Sequence, residues 1–142
     1  MSIWHTTPSP EAINAFSANT LVEYLDIVFS DLGEDYLVAT MPVDRRTHQP
    51  MGLLHGGASV VLAETLASVG ASLVVDPTTH YCVGLEINAN HLRPVRSGRV
   101  TGLARPVHLG KRTQVWEVKI RDEKERLNCI SRVTMAVLAH GE

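Results

Sequence analysis

One carboxylate stands apart in the sequence because of its surroundings. Glu64 is the only ionisable side chain between His55 and Asp76, and it is set among apolar and small residues. It is either a single solvent-facing position on a helix or a functional group, and no polar face exists for it to join. A carboxylate withdrawn from water is suited to attack an activated carbonyl or to activate water. Ser68, one helical turn later, could hydrogen-bond to this carboxylate or to that water.

Two adjacent glycines begin the same segment. Gly56 and Gly57 each weaken a helix by roughly 1 kcal/mol relative to alanine. Glycines at a helix start also let a ligand approach free backbone N–H groups, where the helix dipole favours negative charge. Close packing against a sheet is the alternative explanation, and it suits the small residues later in the helix. We interpret the glycine pair as a candidate site for a ligand that carries or develops negative charge.

The spacing of these two features predicts an oligomer. Glu64 follows Gly56 by eight residues, which places it roughly 12 Å further along a helix axis. One helix therefore cannot easily bring both groups to the same carbonyl. If the helix start holds an oxyanion that Glu64 attacks, the glutamate should come from a second copy related by a two-fold axis. The sequence thus predicts a homodimer with shared active sites.

Residues 87–116 contain no acidic side chain. They hold six of the 13 basic side chains together with two histidines. Such a window is either a solvated sheet face or a local anion site. Because the chain has a net charge of -2 and only 5% aromatic residues, a phosphorylated small molecule is favoured over nucleic acid. The basic residues are Arg93, Arg96, Arg99, Arg105, Lys111 and Arg112.

Length and composition indicate one domain over residues 1–142. The chain is 44% hydrophobic and 20% charged, which suits a compact fold and excludes separate cofactor and substrate domains. Its apolar stretches are interrupted before the ~20 residues of a membrane span, so no membrane association and a cytoplasmic location are expected. Cys82 and Cys129 lie in apolar, strand-like contexts and are predicted to be reduced, buried thiols rather than a disulfide or a metal pair.

The order of elements predicts an α+β fold. A short helix capped by Ser9, with Ile13 and Phe16 on one face, precedes a further turn at 21–25. Alternating residues predict strands at 27–32 and 36–43, and residues 44–54 form a loop. The one long helix spans about 55–75, and strands follow at 81–94, 99–109, 113–121 and 127–138. We expect a curved antiparallel sheet wrapped around the long helix.

Several blocks resemble the hotdog-fold acyl-CoA thioesterases along nearly the whole chain. They are residues 41–44, 46–50, 52–59, 62–64, 83–91 and 108–110. The resemblance is greatest to the branch that hydrolyses 1,4-dihydroxy-2-naphthoyl-CoA in menaquinone synthesis and to its proofreading relative in enterobactin synthesis. It implies a cytoplasmic thioester hydrolase that forms homodimers, commonly paired into a homotetramer, with coenzyme A as part of the substrate and no metal or redox cofactor.

The resemblance also assigns roles to residues. It implies that Glu64 is the nucleophile or general base and that the Gly56 amide polarises the thioester carbonyl. Gln49 and His55 are expected to line the carbonyl site, and Ser68 to assist Glu64 or the water. Coenzyme A is expected to contact Gly84, His91, Leu92, Arg93, Pro94, His108, Leu109, Gly110, Lys111, Arg112 and Thr113.

The substrate and the competing functions stay open at this stage. Relatives usually carry an aromatic residue where this chain has Met51, a softer pocket wall that leaves the acyl group undefined among dihydroxynaphthoyl, hydroxybenzoyl and other aryl groups. An acyl or aryl carrier protein could replace coenzyme A. A hotdog dehydratase would be expected to use a catalytic histidine with Asp or Glu, and a non-catalytic acyl-CoA-binding module would not need Glu64.

Overall fold

A computed structural model describes residues 1–141 of the chain as an antiparallel sheet and one long helix. The predicted α+β hotdog architecture is therefore confirmed. The helices are α1 (Pro10–Phe16), α2 (Leu21–Tyr24) and α3 (Gly56–Val74). The strands are β1 (Val28–Leu32), β2 (Leu37–Pro42), β3 (His80–His91), β4 (Arg99–Leu109), β5 (Thr113–Arg121) and β6 (Leu127–Ala139).

The six strands lie in the order β1-β2-β4-β5-β6-β3, and every neighbouring pair is antiparallel. One stripe of α3 packs against this sheet, and residues such as Leu62, Leu66 and Ala67 are fully buried, as is Trp116 of β5. Gly70 permits this contact, because a Cβ there would lie 2.8 Å from the Trp116 ring. By length and composition alone α3 could cross a membrane, yet its buried stripe identifies it as the core helix.

The N-terminal helix confirms one prediction and contradicts another. Ser9 caps α1 by accepting a hydrogen bond from the Ala12 amide at 3.1 Å, and Ile13 is buried, as expected. Phe16 does not join Ile13 in the core but is 92% exposed. It is the last residue of a two-turn helix, and its ring extends past the edge of the core into grooves beside α3.

The predicted strand bounds agree best with the structure for the strands that follow α3. The strands at 99–109 and 113–121 have the predicted bounds, whereas the strand predicted at 81–94 begins at His80 and ends at His91. The Leu92 amide makes a further bond to β6, to the Asn128 carbonyl at 2.8 Å, and Pro94 cannot donate to a ladder, so the pairing does not extend to residue 94. Both cysteines are free, and burial raises the pKa of each thiol.

Candidate active site

The start of α3 leaves one backbone donor unused. His55 is the N-cap residue, and its Nδ1 accepts a hydrogen bond from the Gly57 amide at 2.8 Å. The His55 carbonyl accepts from Ala58 at 3.0 Å and from Ser59 at 3.2 Å. The Gly56 N–H donates to no group within residues 1–141. A single donor at the positive end of the helix dipole is thus available for an external acceptor.

The adjacent glycines make room for two histidine rings. A Cβ on Gly56 would lie 2.8 Å from Nε2 of His91, and a Cβ on Gly57 would lie 3.0 Å from the His55 ring. His55 caps the helix and is not among the residues that line the cavity beside Gly56 in one chain, so its expected place at the carbonyl site stays a prediction. The capping bond requires Nδ1 to be an acceptor, which places the proton of the neutral ring on Nε2.

The free Gly56 amide borders a cavity of about 310 Å³. Gln49 faces it from the preceding loop, where the Gln49 Oε1 accepts a hydrogen bond from the Met51 amide. Its side-chain nitrogen donates to no group in the described chain, so a second donor stands beside Gly56. Met51 is 77% exposed and lies outside this cavity, so its place in a wall of the acyl pocket stays a prediction. The remaining lining residues are Leu53, Leu54, Ser59, His91, Leu92, Arg93, Pro94 and Asn128.

Glu64 occupies a different groove, of about 520 Å³, between α3 and the N-terminal helices. The side chain is half-buried, and its walls include Phe16, Leu21, Val60 and Val61. The predominantly apolar walls suit an uncharged group next to one carboxylate.

Gly84 lies directly beneath the carboxylate of Glu64. A Cβ on Gly84 would approach Glu64 Oε2 to 2.8 Å, so only glycine leaves space for the carboxylate in this position. A β-bulge follows at Leu85, where the pairing of β3 with β6 shifts register between Gly84 and Glu86. Gly84 was expected to contact coenzyme A, but within one chain its closest side-chain neighbour is Glu64.

Ser68 does not hydrogen-bond to Glu64. Its hydroxyl instead lies 3.9 Å from the sulfur of Met135, the residue paired with Gly84 across β3 and β6. Helical spacing placed Ser68 in the same groove as Glu64, as expected, but the hydroxyl turns towards the sheet. Any assistance to Glu64 through Ser68 therefore requires a rotation of that side chain or an intervening water.

The predicted binding residues fall into two groups at opposite ends of one strand pair. His91 pairs with Cys129, and the segment 91–94 borders the Gly56 cavity. Ala136 of β6 pairs with Thr113 on one side and with Val83 of β3 on the other. The turn at 108–113 therefore lies near Gly84, at the opposite end of β3 from His91. Seven strand residues, roughly 23 Å, separate Gly84 from His91. One chain therefore does not gather all the predicted residues around one ligand.

The acid-free window does not form one anion site. Arg99 bonds to Asp26 at 2.9 Å, and Arg105 stacks over the Tyr36 ring at 5.2 Å. Arg93 and Arg96 border another cavity, of about 490 Å³, together with the cations Lys124 and Arg126 and the acids Asp122 and Glu123. Arg93 and Pro94 belong to this cavity and to the Gly56 cavity, so the two adjoin.

Asn128 is a site residue that the sequence patterns missed. It lines the Gly56 cavity although it lies 72 positions from Gly56 in the chain. Its neighbours in sequence predict an ordinary strand, and only the sheet register reveals that the residue is displaced. Polarity did not single it out, because the same strand also carries Ser131, Arg132 and Thr134.

Comparison with known proteins agrees with this architecture. A sequence model of the "Thioesterase superfamily" matches residues 51–129. The 1,4-dihydroxy-2-naphthoyl-CoA hydrolase of Escherichia coli is 55% identical over 136 residues, covering 96% of this chain and 99% of that protein. The proofreading thioesterase EntH of Cronobacter sakazakii is 52% identical over 136 residues, covering 96% and 98%.

The solved structures give the same assignment. A mutant thioesterase from Pseudomonas aeruginosa superposes with a TM-score of 0.96 at 52% identity, covering 97% of this chain and 99% of that one. The long helix and the sheet that it packs on therefore belong to a shared architecture. The chain is a member of the thioesterase superfamily, a thioester hydrolase with the hotdog fold.

Proposed function

We propose that this enzyme hydrolyses aromatic acyl-CoA thioesters, of the 1,4-dihydroxy-2-naphthoyl or hydroxybenzoyl type, to the free acid and coenzyme A. The observation that carries the proposal is the free Gly56 N–H at the start of α3, beside a cavity that also contains the unpaired Gln49 amide nitrogen. A thioester carbonyl oxygen accepts hydrogen bonds from such donors and accepts them more strongly as it gains negative charge.

Glu64 supplies the reacting carboxylate. As a nucleophile it adds to the carbonyl carbon and displaces the thiolate, and water then hydrolyses the resulting anhydride. As a general base it removes a proton from a water that attacks the same carbon. Both routes consume one water and yield one acid and one thiol. Neither needs a metal or redox cofactor, because the donors and the carboxylate supply both roles.

Two copies of the chain complete each site in this proposal. Glu64 lies roughly 12 Å along α3 from Gly56, and the two residues border different cavities. The edge strand β3 offers the contact, because Tyr81, Val83 and Leu85 are 37%, 42% and 64% exposed on it. A two-fold axis beside this edge would bring the Gly56 end of one chain to the Glu64 end of the other. Two such dimers would form the expected homotetramer.

The groove beside Glu64 supports an aromatic acyl group. Phe16, Leu21 and Val61 provide flat and branched apolar surfaces next to the carboxylate. Aromatic rings gain most from such surfaces by burial and stacking. The relative from Escherichia coli is named for a naphthoyl thioester, and we extend that class of substrate, its menaquinone pathway and a cytoplasmic location to this chain by proposal.

A steady-state panel tests the substrate class. Dihydroxynaphthoyl-CoA, 4-hydroxybenzoyl-CoA, hexanoyl-CoA and a hydroxybenzoyl carrier-protein thioester are compared by kcat/KM. We expect the aromatic CoA esters to exceed hexanoyl-CoA by at least tenfold. A preference for the carrier-protein thioester would assign a proofreading role instead. Binding without turnover of any ester would indicate a non-catalytic module. A 3-hydroxyacyl-CoA is added to the panel, and its conversion to an enoyl-CoA would indicate a dehydratase.

Labelled water separates the two roles of Glu64. In a single turnover in ¹⁸O water, a nucleophilic carboxylate acquires label when water attacks its own carbonyl carbon in the anhydride. A general base leaves the protein unlabelled and places the label in the product acid. Label in the peptide that contains Glu64, detected by mass spectrometry, would establish the nucleophilic route; water that attacks the acyl carbon of the anhydride labels the product acid, as the general-base route does.

A further inference from the structure

Asn128 is an extra residue inserted in the β5–β6 pairing. Ile120 pairs with Cys129, and Arg121 pairs with Leu127, so Asn128 has no partner on β5. An inserted residue of this kind forms a β-bulge, which redirects a side chain and is common beside active sites. Here it carries a polar side chain to the wall of the Gly56 cavity.

The carboxamide of Asn128 has no hydrogen-bonding partner within the described chain. The residue is only 3% exposed, and its Oδ1 is buried without a donor. Other buried polar residues are satisfied: Gln114 accepts from Trp116 at 2.8 Å, and Ser131, on the same strand, donates to the Asn88 carbonyl at 2.8 Å. A buried carboxamide left unpaired is destabilising, so its presence calls for a ligand.

The position of Asn128 is between the free amide and a group of cations. The Gly56 cavity that it lines adjoins, at Arg93 and Pro94, the cavity bordered by Lys124 and Arg126. A ligand whose carbonyl meets the Gly56 N–H and whose tail reaches these cations would pass Asn128. Arg126 is paired there with Asp122 at 2.8 Å, whereas Arg93, Arg96 and Lys124 suit phosphate groups at the far end.

We propose that the Asn128 carboxamide binds an amide group of the pantetheine arm of the thioester substrate. This inference rests on the proposed function. The first amide of pantetheine follows the thioester sulfur by two methylene groups, and it offers one donor and one acceptor. A primary carboxamide offers the same pair of groups and is therefore complementary to it. Coenzyme A and carrier proteins share this arm, so Asn128 recognises the thiol portion rather than the acyl group.

Two small substrates isolate this contact. The benzoyl thioester of N-acetylcysteamine carries the amide, and S-pentyl thiobenzoate has the same chain length without it. We expect the wild-type enzyme to favour the amide substrate by about tenfold in kcat/KM, the value of roughly one hydrogen bond. Asn128→Leu should remove this preference, because it should lower kcat/KM for the N-acetylcysteamine ester about tenfold more than kcat/KM for S-pentyl thiobenzoate. Ser131→Ala is the matched control, because it alters a buried polar residue of the same strand outside the cavity, and it should retain the preference.

Several results would overturn the inference. An undiminished preference in Asn128→Leu, or equal turnover of the two substrates by the wild-type enzyme, contradicts it. If Asn128→Leu does not fold, Asn128→Ala takes its place, since it removes both the donor and the acceptor of the carboxamide without adding bulk. It should likewise lose the preference, and its retention would contradict the contact. Failure of the wild-type enzyme to hydrolyse any thioester would refute the proposed function, and with it this inference. Normal turnover of CoA esters without an amide preference would refute the inference alone.

Discussion

The start and the middle of α3 differ in chemistry although they belong to one rigid helix. The start offers hydrogen-bond donors, the Gly56 N–H and the Gln49 amide, in a cavity with mixed polar and apolar walls that adjoins basic side chains. The middle offers one carboxylate, Glu64, among mostly apolar walls. The first region can activate a carbonyl and the second can attack it, but the helix holds them roughly 12 Å apart. In the proposed enzyme, each chain therefore carries two halves of different sites.

Loss of the attacking carboxylate in the middle of α3 should reduce kcat more than any other change to the two regions. Glu64→Gln keeps the shape of the side chain and removes its charge, and we expect kcat to fall by about 10³-fold with KM little changed. Steady-state kinetics on an aromatic acyl-CoA measures this. Glu117→Gln, the same change at a strand residue remote from both cavities, serves as control. If Glu64→Gln retains the wild-type kcat, the Glu64 carboxylate does not take part in the reaction.

Displacement of the Glu64 carboxylate should cause the next largest fall in kcat. A Cβ on Gly84 would lie 2.8 Å from Glu64 Oε2 and would push that oxygen aside, so Gly84→Ala should lower kcat by about 10- to 100-fold. KM should change little if Gly84 only positions Glu64. A raised KM with unchanged kcat would instead support the contact with coenzyme A that the family resemblance implies.

A smaller effect is expected at Ser68. Its hydroxyl lies 3.9 Å from the Met135 sulfur and makes no hydrogen bond to Glu64. We therefore expect Ser68→Ala to reduce kcat by less than about threefold, since it removes no bond to the reacting carboxylate. A loss of tenfold or more, measured on the same substrate, would show that the hydroxyl turns towards Glu64 or its water during the reaction.

The smallest expected effect concerns the stability of the turn at 122–126, which precedes the Asn128 bulge, at low pH. Asp122 accepts hydrogen bonds from the Arg126 and Lys124 amides and from Arg126 Nε, and these interactions lower its pKa. The Asp122 carboxylate therefore stabilises the folded chain at pH values above its unfolded-state pKa of about 3.9. This stabilisation is lost as the pH falls through the lower pKa of the folded state. Asp122→Asn should melt at a lower temperature at pH 7 and lose less stability on acidification. Asp35→Asn, at an exposed turn, is the control, and equal acid sensitivity in all three proteins would contradict this role.

The fold could be predicted where local patterns decide it. The helix that begins after His55 and the strands at 99–109 and 113–121 follow from hydrophobic periodicity and turn residues, which depend on near neighbours. The exposure of Phe16 could not be predicted, because it depends on where a short helix meets the edge of the core.

The site was predictable in its residue types but not in its contacts. The isolation of Glu64 and its distance from Gly56 are properties of the sequence, since helix geometry is regular. The division of the basic window, the turn of Ser68 towards Met135 and the displacement of Asn128 depend on strand register. Register is set by pairing between distant segments, so charge or polarity along the chain does not reveal it.

Mixed dimers test the shared site most directly. Chains carrying Glu64→Gln or Gln49→Ala are coexpressed with different affinity tags, and the mixed dimer is purified through both tags. If each site takes Gln49 from one chain and Glu64 from the other, this dimer has one intact site and about half the wild-type kcat per dimer. A dimer of one wild-type chain and one chain with both substitutions should then be inactive. The reverse pattern, an inactive mixed dimer and a half-active second dimer, would show that each chain uses its own Glu64 and would contradict the account.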